Sequence, residues 1–152
     1  MFGEKPKKLV FIGSDHAGFK AKAAVYKHLV DTGYDATDLG TFSEEPYDYP
    51  DIAREVSEKV QEHDGSFGIL ICGTGVGMSM VANKLKGIRA ALVTDENVAE
   101  LSRKHNDANV LTMGARVVDV GMMLKIVDKF LSTDFEKKEE RHVRRVGKIN
   151  SF

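Results

Sequence analysis

Phe67-Gly68-Ile69-Leu70-Ile71-Cys72-Gly73-Thr74-Gly75-Val76-Gly77 is the stretch that decides the fold. Its apolar half runs without polar alternation, which is the pattern of a strand covered on both faces, and such strands belong to parallel sheets flanked by helices. The glycine-rich half then makes a tight turn into a helix-period segment over residues 76–85. Cys72, the only cysteine, stands where strand gives way to loop, at a place where main-chain N–H groups can stabilise negative charge.

Outward from this stretch the same alternation repeats. Residues 9–13, Leu9-Val10-Phe11-Ile12-Gly13, read as another doubly buried strand, and residues 17–32 as a helix with Phe19, Ala23, Tyr26 and Val30 on its buried stripe and Gly33 as its stop. Residues 34–39 make a weaker, more polar strand, expected at an edge. After a loop carrying Pro46 and Pro50, Ile52, Val56 and Val60 mark a helix over residues 51–63. Residues 88–93 form a fourth strand, Asp95 caps a helix containing Val98, Leu101 and Ser102, and residues 110–113 form a fifth strand closed by Gly114. Helices over residues 118–131 and 136–146 complete the chain.

Five strands alternating with helices predict a single α/β domain over residues 1–152, with residues 1–8 and 148–152 as loose tails. The expected architecture is a Rossmann-like three-layer sandwich on a five-stranded parallel sheet, in the common order 2-1-3-4-5. That order opens a crevice between strands 1 and 3 at their carboxyl ends, bringing the loop Ser14-Asp15-His16-Ala17-Gly18 beside the loop at Cys72.

Composition narrows the classes. Hydrophobic residues at 42% and charged residues at 30% fit an ordinary globular chain, and a net charge of -1 gives no reason to expect nucleic acid or a membrane surface as partner. One cysteine excludes an internal disulfide and the first residues lack a signal-peptide core, so the cytoplasm is the expected address. No Cys-x-x-Cys pair, His-x-x-x-His pair or carboxylate cluster has metal-ligand spacing, so no metal is expected.

Each polar candidate has two readings. The glycine loop is G-x-G-x-G and follows the third strand, which argues against a dinucleotide and for either a smaller anion or a plain tight turn. Cys72 is either a small core residue or a working thiol, and an ordinary thiol is largely protonated at neutral pH, so the second role needs help from nearby N–H groups. Asp15 fits a helix cap as well as a ligand contact. His105 and Asn106 fit a solvated loop after a helix, although imidazole is the side chain best suited to proton transfer near neutral pH. Arg141 and Arg145, four apart, fit a solvated basic face or a clamp on one phosphate.

Taken together, Ser14-Asp15-His16-Ala17-Gly18-Phe19, Asp48-Tyr49-Pro50, the Cys72 loop through Ser79, Asn83-Lys84, Gly87-Ile88-Arg89-Ala90, Ser102-Arg103-Lys104-His105-Asn106, Gly114-Ala115-Arg116 and Arg141-His142-Val143-Arg144-Arg145 resemble the ribose-5-phosphate isomerase B family, which includes galactose-6-phosphate isomerase subunits. The likeness covers nearly the whole chain, in order. It implies interconversion of D-ribose 5-phosphate and D-ribulose 5-phosphate through a cis-enediol(ate), with no cofactor. It further implies Cys72 as the base, His105 as the proton donor in ring opening, and Thr74 with the amides of Gly73, Gly75, Val76 and Gly77 as the oxyanion hole. Asp15, His16, Tyr49 and Asn106 would contact the sugar, and Arg116, Arg141 and Arg145 its phosphate. Homodimers or tetramers with sites shared between subunits are implied too. Family members without the cysteine take their base from a glutamate further along the loop; here Val76-Gly77-Met78-Ser79-Met80 has no carboxylate, which favours Cys72. The chain departs from the family before Arg141, where Phe135-Glu136-Lys137-Lys138-Glu139-Glu140 replaces a frequent Gly-Gly. Alternative readings are a hexose-6-phosphate isomerase of the galactose or allose type, a phosphosugar-binding protein without catalysis, and a flavodoxin-like FMN carrier.

Overall fold

The computed structural model describes residues 8–152. The chain runs β1 (Leu9–Ser14), a 3-10 turn (His16–Gly18), α1 (Phe19–Asp31), β2 (Asp35–Asp38), α2 (Tyr49–Glu62), β3 (Phe67–Cys72), α3 (Val76–Ala82), β4 (Ala90–Leu92), α4 (Glu96–Asn106), β5 (Val110–Gly114), α5 (Val120–Ser132) and α6 (Glu140–Asn150). Every pair of neighbouring strands is parallel.

The strand order is β2-β1-β3-β5-β4 and not the expected 2-1-3-4-5. The exchange of the last two strands follows from what each can bury. All five residues of β5 are buried, whereas β4 has three residues, two half-buried alanines and an exposed Leu92. A strand flanked on both edges must be covered on both faces as well, so Val110, Leu111 and Met113 belong inside and the short Ala90-Ala91-Leu92 at the rim. The other edge is β2, as its polar sequence indicated.

The strands divide their side chains between two helix layers. Phe67, Ile69 and Ile71 of β3 join Val25 and Leu29 of α1 and Ile126, Val127 and Phe130 of α5 on one face. Leu70 and Cys72 face the other way, into a cluster with Phe11 of β1, Ile52 and Val56 of α2 and Met78 of α3. Burying side chains of this size gives on the order of 1.5–3 kcal/mol each, and this double coverage is what holds β3 at the centre.

Several helices differ from their expected registers. In α1 the buried residues are Ala21, Lys22, Val25 and Leu29, while Ala23 and Val30 of the expected stripe are exposed. The shift is driven by Lys22, whose ammonium reaches both carboxylate oxygens of Asp38 on β2 at 2.7 and 2.8 Å and so turns that face of the helix to the sheet. α3 stops at Ala82, because Asn83 caps it and exchanges hydrogen bonds with the main chain of Ala90. The last helix begins at Glu140, leaving Glu136 in the preceding loop, and residues 148–150, expected in a loose tail, continue it to Asn150. Residues 1–7 of the other expected tail lie outside the described residues. Among the described residues, no helix is long and apolar enough to cross a membrane.

Candidate active site

The Cys72 loop sits at the carboxyl edge of the sheet, on the end of β5. Cys72 pairs in register with Gly114, and a Cβ added to Gly114 would stand 2.5–2.6 Å from the main chain of Thr74. Glycine is therefore required at residue 114 because the loop backbone lies directly against it. Gly75, the residue that precedes α3, takes φ +83°, which turns its N–H back onto the strand end. That N–H donates to Cys72 Sγ at 3.1 Å.

The core reading of Cys72 holds, and its sulfur also has a main-chain donor. The residue is 5% exposed and belongs to the core beside α2 and α3, while its sulfur accepts the Gly75 N–H. Thr74 Oγ1 accepts the N–H of Val76 at 3.3 Å, so the hydroxyl proton remains to be donated elsewhere. Gly77 and Met78 lie in the first turn of α3, whose amides have no partner within the helix.

Around this loop the structure gathers the other residues expected there. The first loop meets it at Ile71: Asp15 N–H donates to Ile71 O at 3.3 Å, and a Cβ on Gly18 would be 2.5 Å from the same oxygen. Asp15 caps the 3-10 turn, its Oδ1 accepting Gly18 N–H at 3.1 Å, as the capping reading held. His16 Nδ1 accepts the N–H of Tyr47 at 3.0 Å, which places the proton of a neutral imidazole on Nε2. Tyr49 opens α2, and its ring lies over Gly77, 2.4 Å from where a Cβ would be. The Arg116 guanidinium lies over Gly73 in the same manner, with Nη1 3.2 Å from that position, and Arg116 N–H donates to Gly73 O at 3.0 Å.

His105, Asn106, Arg141 and Arg145 are elsewhere. His105 and Asn106 are the last two residues of α4, within the helix and not in a loop after it. α4 runs back from the carboxyl ends of the strands to their amino ends, so these residues lie about one strand length, roughly 16–20 Å, from Cys72. There the His105 ring stacks on His142 of α6, with centroids 4.3 Å apart and planes at 20°. Arg141 and Arg145 are exposed on α6, and Arg141 Nε is 3.6 Å from Glu139. Lys104, beside His105, is held above the ordinary lysine value by its hydrogen bond to Glu100 and then by that carboxylate's charge. The side chains expected to act together therefore form two groups at opposite edges of one sheet.

Gly114 and His142 stand in motifs that the sequence shows, but their contacts, and the part played by Tyr47, depend on packing between distant segments. Gly114 matters because of a strand exchange, Tyr47 offers only its main chain, and His142 is buried against a residue far away in the chain.

Comparison with known proteins places this geometry. The family model described as Ribose/Galactose Isomerase matches residues 10–149. A probable ribose-5-phosphate isomerase B of Mycoplasma pneumoniae is 48% identical over 94% of this chain and 93% of its own length. The ribose-5-phosphate isomerase B of Escherichia coli is 46% identical over 96% of each chain. Among solved structures, the Mycoplasma genitalium ribose-5-phosphate isomerase B with bound ribulose-5-phosphate superposes with a TM-score of 0.89 at 46% identity, covering 94% of each chain. With a match that spans both groups of side chains and nearly every element of the sheet, the chain belongs to the ribose/galactose isomerase family, among its ribose-5-phosphate isomerase B members.

Proposed function

We propose that the protein interconverts D-ribose 5-phosphate and D-ribulose 5-phosphate, with Cys72 as the base and each site completed by a second copy of the chain. The observation that carries this reading is the Gly75 N–H on Cys72 Sγ at 3.1 Å, inside a loop covered by Tyr49 and Arg116. Cys72 as thiolate takes the proton from C2 of the open-chain aldose; the C2–H electron pair becomes the C1–C2 double bond, and the C1 carbonyl pair moves to its oxygen. Return of the proton to C1, with transfer of the O2 proton to O1, yields the ketose. C2 is oxidised and C1 reduced by two electrons within one molecule, so the balance requires no outside oxidant.

The Thr74 hydroxyl and the first-turn amides of α3 are the donors nearest the developing oxyanion, and such preorganised donors contribute about 10²–10³ in rate each. Asp15, His16 and Tyr49 hold the sugar from the carboxyl edge. His105, supplied by the second copy, gives a proton to open the furanose ring, with Asn106 on a sugar hydroxyl and Arg141 and Arg145 joining Arg116 around the phosphate. A homodimer, alone or paired into a tetramer, working as single domains in the cytoplasm is the assembly this requires.

The test is a coupled isomerase assay of wild type and Cys72→Ser on ribose 5-phosphate, galactose 6-phosphate and allose 6-phosphate. Ribose 5-phosphate should be the best substrate, and Cys72→Ser should lose about 10²–10⁴ in kcat, the span typical of a positioned base. Faster turnover of a six-carbon phosphate would overturn the substrate, and full activity of Cys72→Ser would overturn the base.

A further inference from the structure

At the amino edge of the sheet, three side chains that no reading along the chain would group come together. One ligand atom from each of His105, Glu136 and His142 lies within 4.8 Å of the others, and His105 Nε2 is 3.9 Å from Glu136 Oε1. The loop ahead of α6 holds the carboxylate there: Glu136 N–H donates to Lys104 O at 3.1 Å, pinning Glu136 to the turn of α4 that carries His105. His142, 6% exposed, backs the His105 ring from the first turn of α6, while the side chains of His105 and Glu136 are 40% and 41% exposed and leave the cluster open to solvent.

We propose that His105, Glu136 and His142 bind one transition-metal ion of the zinc class, and that occupancy suppresses the isomerase by occupying the His105 nitrogen that must carry the proton for ring opening. Two imidazoles and one carboxylate are the donor set of three-ligand zinc sites that keep a fourth position for water, whereas Mg²⁺ and Ca²⁺ require mostly oxygen. Tetrahedral bonds of this kind put ligand atoms about 3.4 Å apart, so closure from the present spacing needs movements on the order of 1 Å. The lone pairs of stacked rings run side by side, so coordination also tilts His142 and His105 out of their 20° stack. Lys104 is the adjacent positive charge, and the Glu136 carboxylate acts on it too, which limits the affinity. Coordination and the proton that ring opening needs compete for the same His105 nitrogen, so the inhibitory half of the proposal rests on the function proposed above and the binding half does not.

The test uses chelator-stripped full-length protein and Zn²⁺ itself, followed by calorimetry. One Zn²⁺ per chain should bind, Mg²⁺ should not bind at the same concentrations, and Co²⁺ should give the visible bands of a tetrahedral site. Glu136→Gln, in a half-exposed position that does not threaten folding, should weaken Zn²⁺ at least about ten-fold, a loss no smaller than that of removing an outer-shell partner. His142→Ala should do the same, and Cys72→Ser should leave binding unchanged. Unaltered affinity in Glu136→Gln, or binding lost in Cys72→Ser, would place the ion elsewhere and overturn the site. In the isomerase assay Zn²⁺ should inhibit wild type, and Glu136→Gln should need about ten-fold more for the same inhibition; full turnover with Zn²⁺ bound would overturn the block. Binding is read without turnover, so a failed isomerase assay leaves the site itself decided by calorimetry.

Discussion

At the scale of single residues, the site depends on how closely two chains of atoms can approach. Gly77 accepts the Tyr49 ring because it has no Cβ, and the nearest ring atom would stand 2.4 Å from one. Gly77→Ala must therefore push Tyr49 away from the loop or move the first turn of α3. The ring is at the surface and can yield, so folding should survive with a loss on the order of 1–3 kcal/mol, as for other overpacked sites. The activity should fall further than the stability, because the amides that α3 presents move with its first turn. Thermal unfolding and steady-state kinetics on the same preparation check both halves, and unchanged kcat/KM would show that the Tyr49 contact is dispensable. Cys72 teaches a related lesson. Its thiol is packed in one cluster with Met78, yet the sulfur accepts the Gly75 N–H, so burial does not close it to polar contact.

At the scale of elements, β2 pairs with β1 through its main chain and is tied to α1 by a charged contact. Lys22 Nζ lies 2.7 Å from Asp38 Oδ1 with side-chain exposures of 2% and 20%, and it also stands 4.9 Å from the Phe42 ring centroid. Asp38→Ala leaves a buried ammonium without its carboxylate and should cost about 3–5 kcal/mol in denaturant unfolding. The pair replacement Lys22→Met with Asp38→Leu, which removes both charges, should be far milder; an equal loss in the two proteins would refute the charge argument. This contact also explains what was legible in the sequence and what was not. Strands β1, β3 and β5, the caps Asp15 and Asp95, and the edge position of β2 follow from local patterns, since each depends on residues within one turn or one strand. The register of α1 depends on Lys22 finding Asp38 across the sheet, and the place of β4 depends on how β5 competes for the centre. Neither is a local property. The same division holds in the site: the loops at Asp15 and Cys72 come together through strand adjacency that β1 and β3 dictate, whereas the stack of His105 on His142 needs the packing of α6 on α4.

At the scale of the whole molecule, one chain carries the two proposed halves of the site at opposite edges. Two copies related by a two-fold axis can join the carboxyl edge of each to the amino edge of the other, which makes two complete sites. Mixing Cys72→Ala with His105→Ala, each inactive alone, should then restore activity: random exchange yields about half heterodimers with one intact site each, roughly a quarter of wild-type activity. Mixtures as inactive as their components after verified subunit exchange would show that the two halves are not shared. The strand order bears on a different matter, the emergence of the chain during its synthesis. Among the described strands β4 pairs only with β5, and β5 also fills the free side of β3. Until residues 110–114 are made, the nascent sheet ends at β3, with Cys72 on an open, wholly apolar margin and β4 waiting without a neighbour. The growing polypeptide is therefore at its stickiest just before its last strand arrives, and that interval is where a chaperone would have most to do.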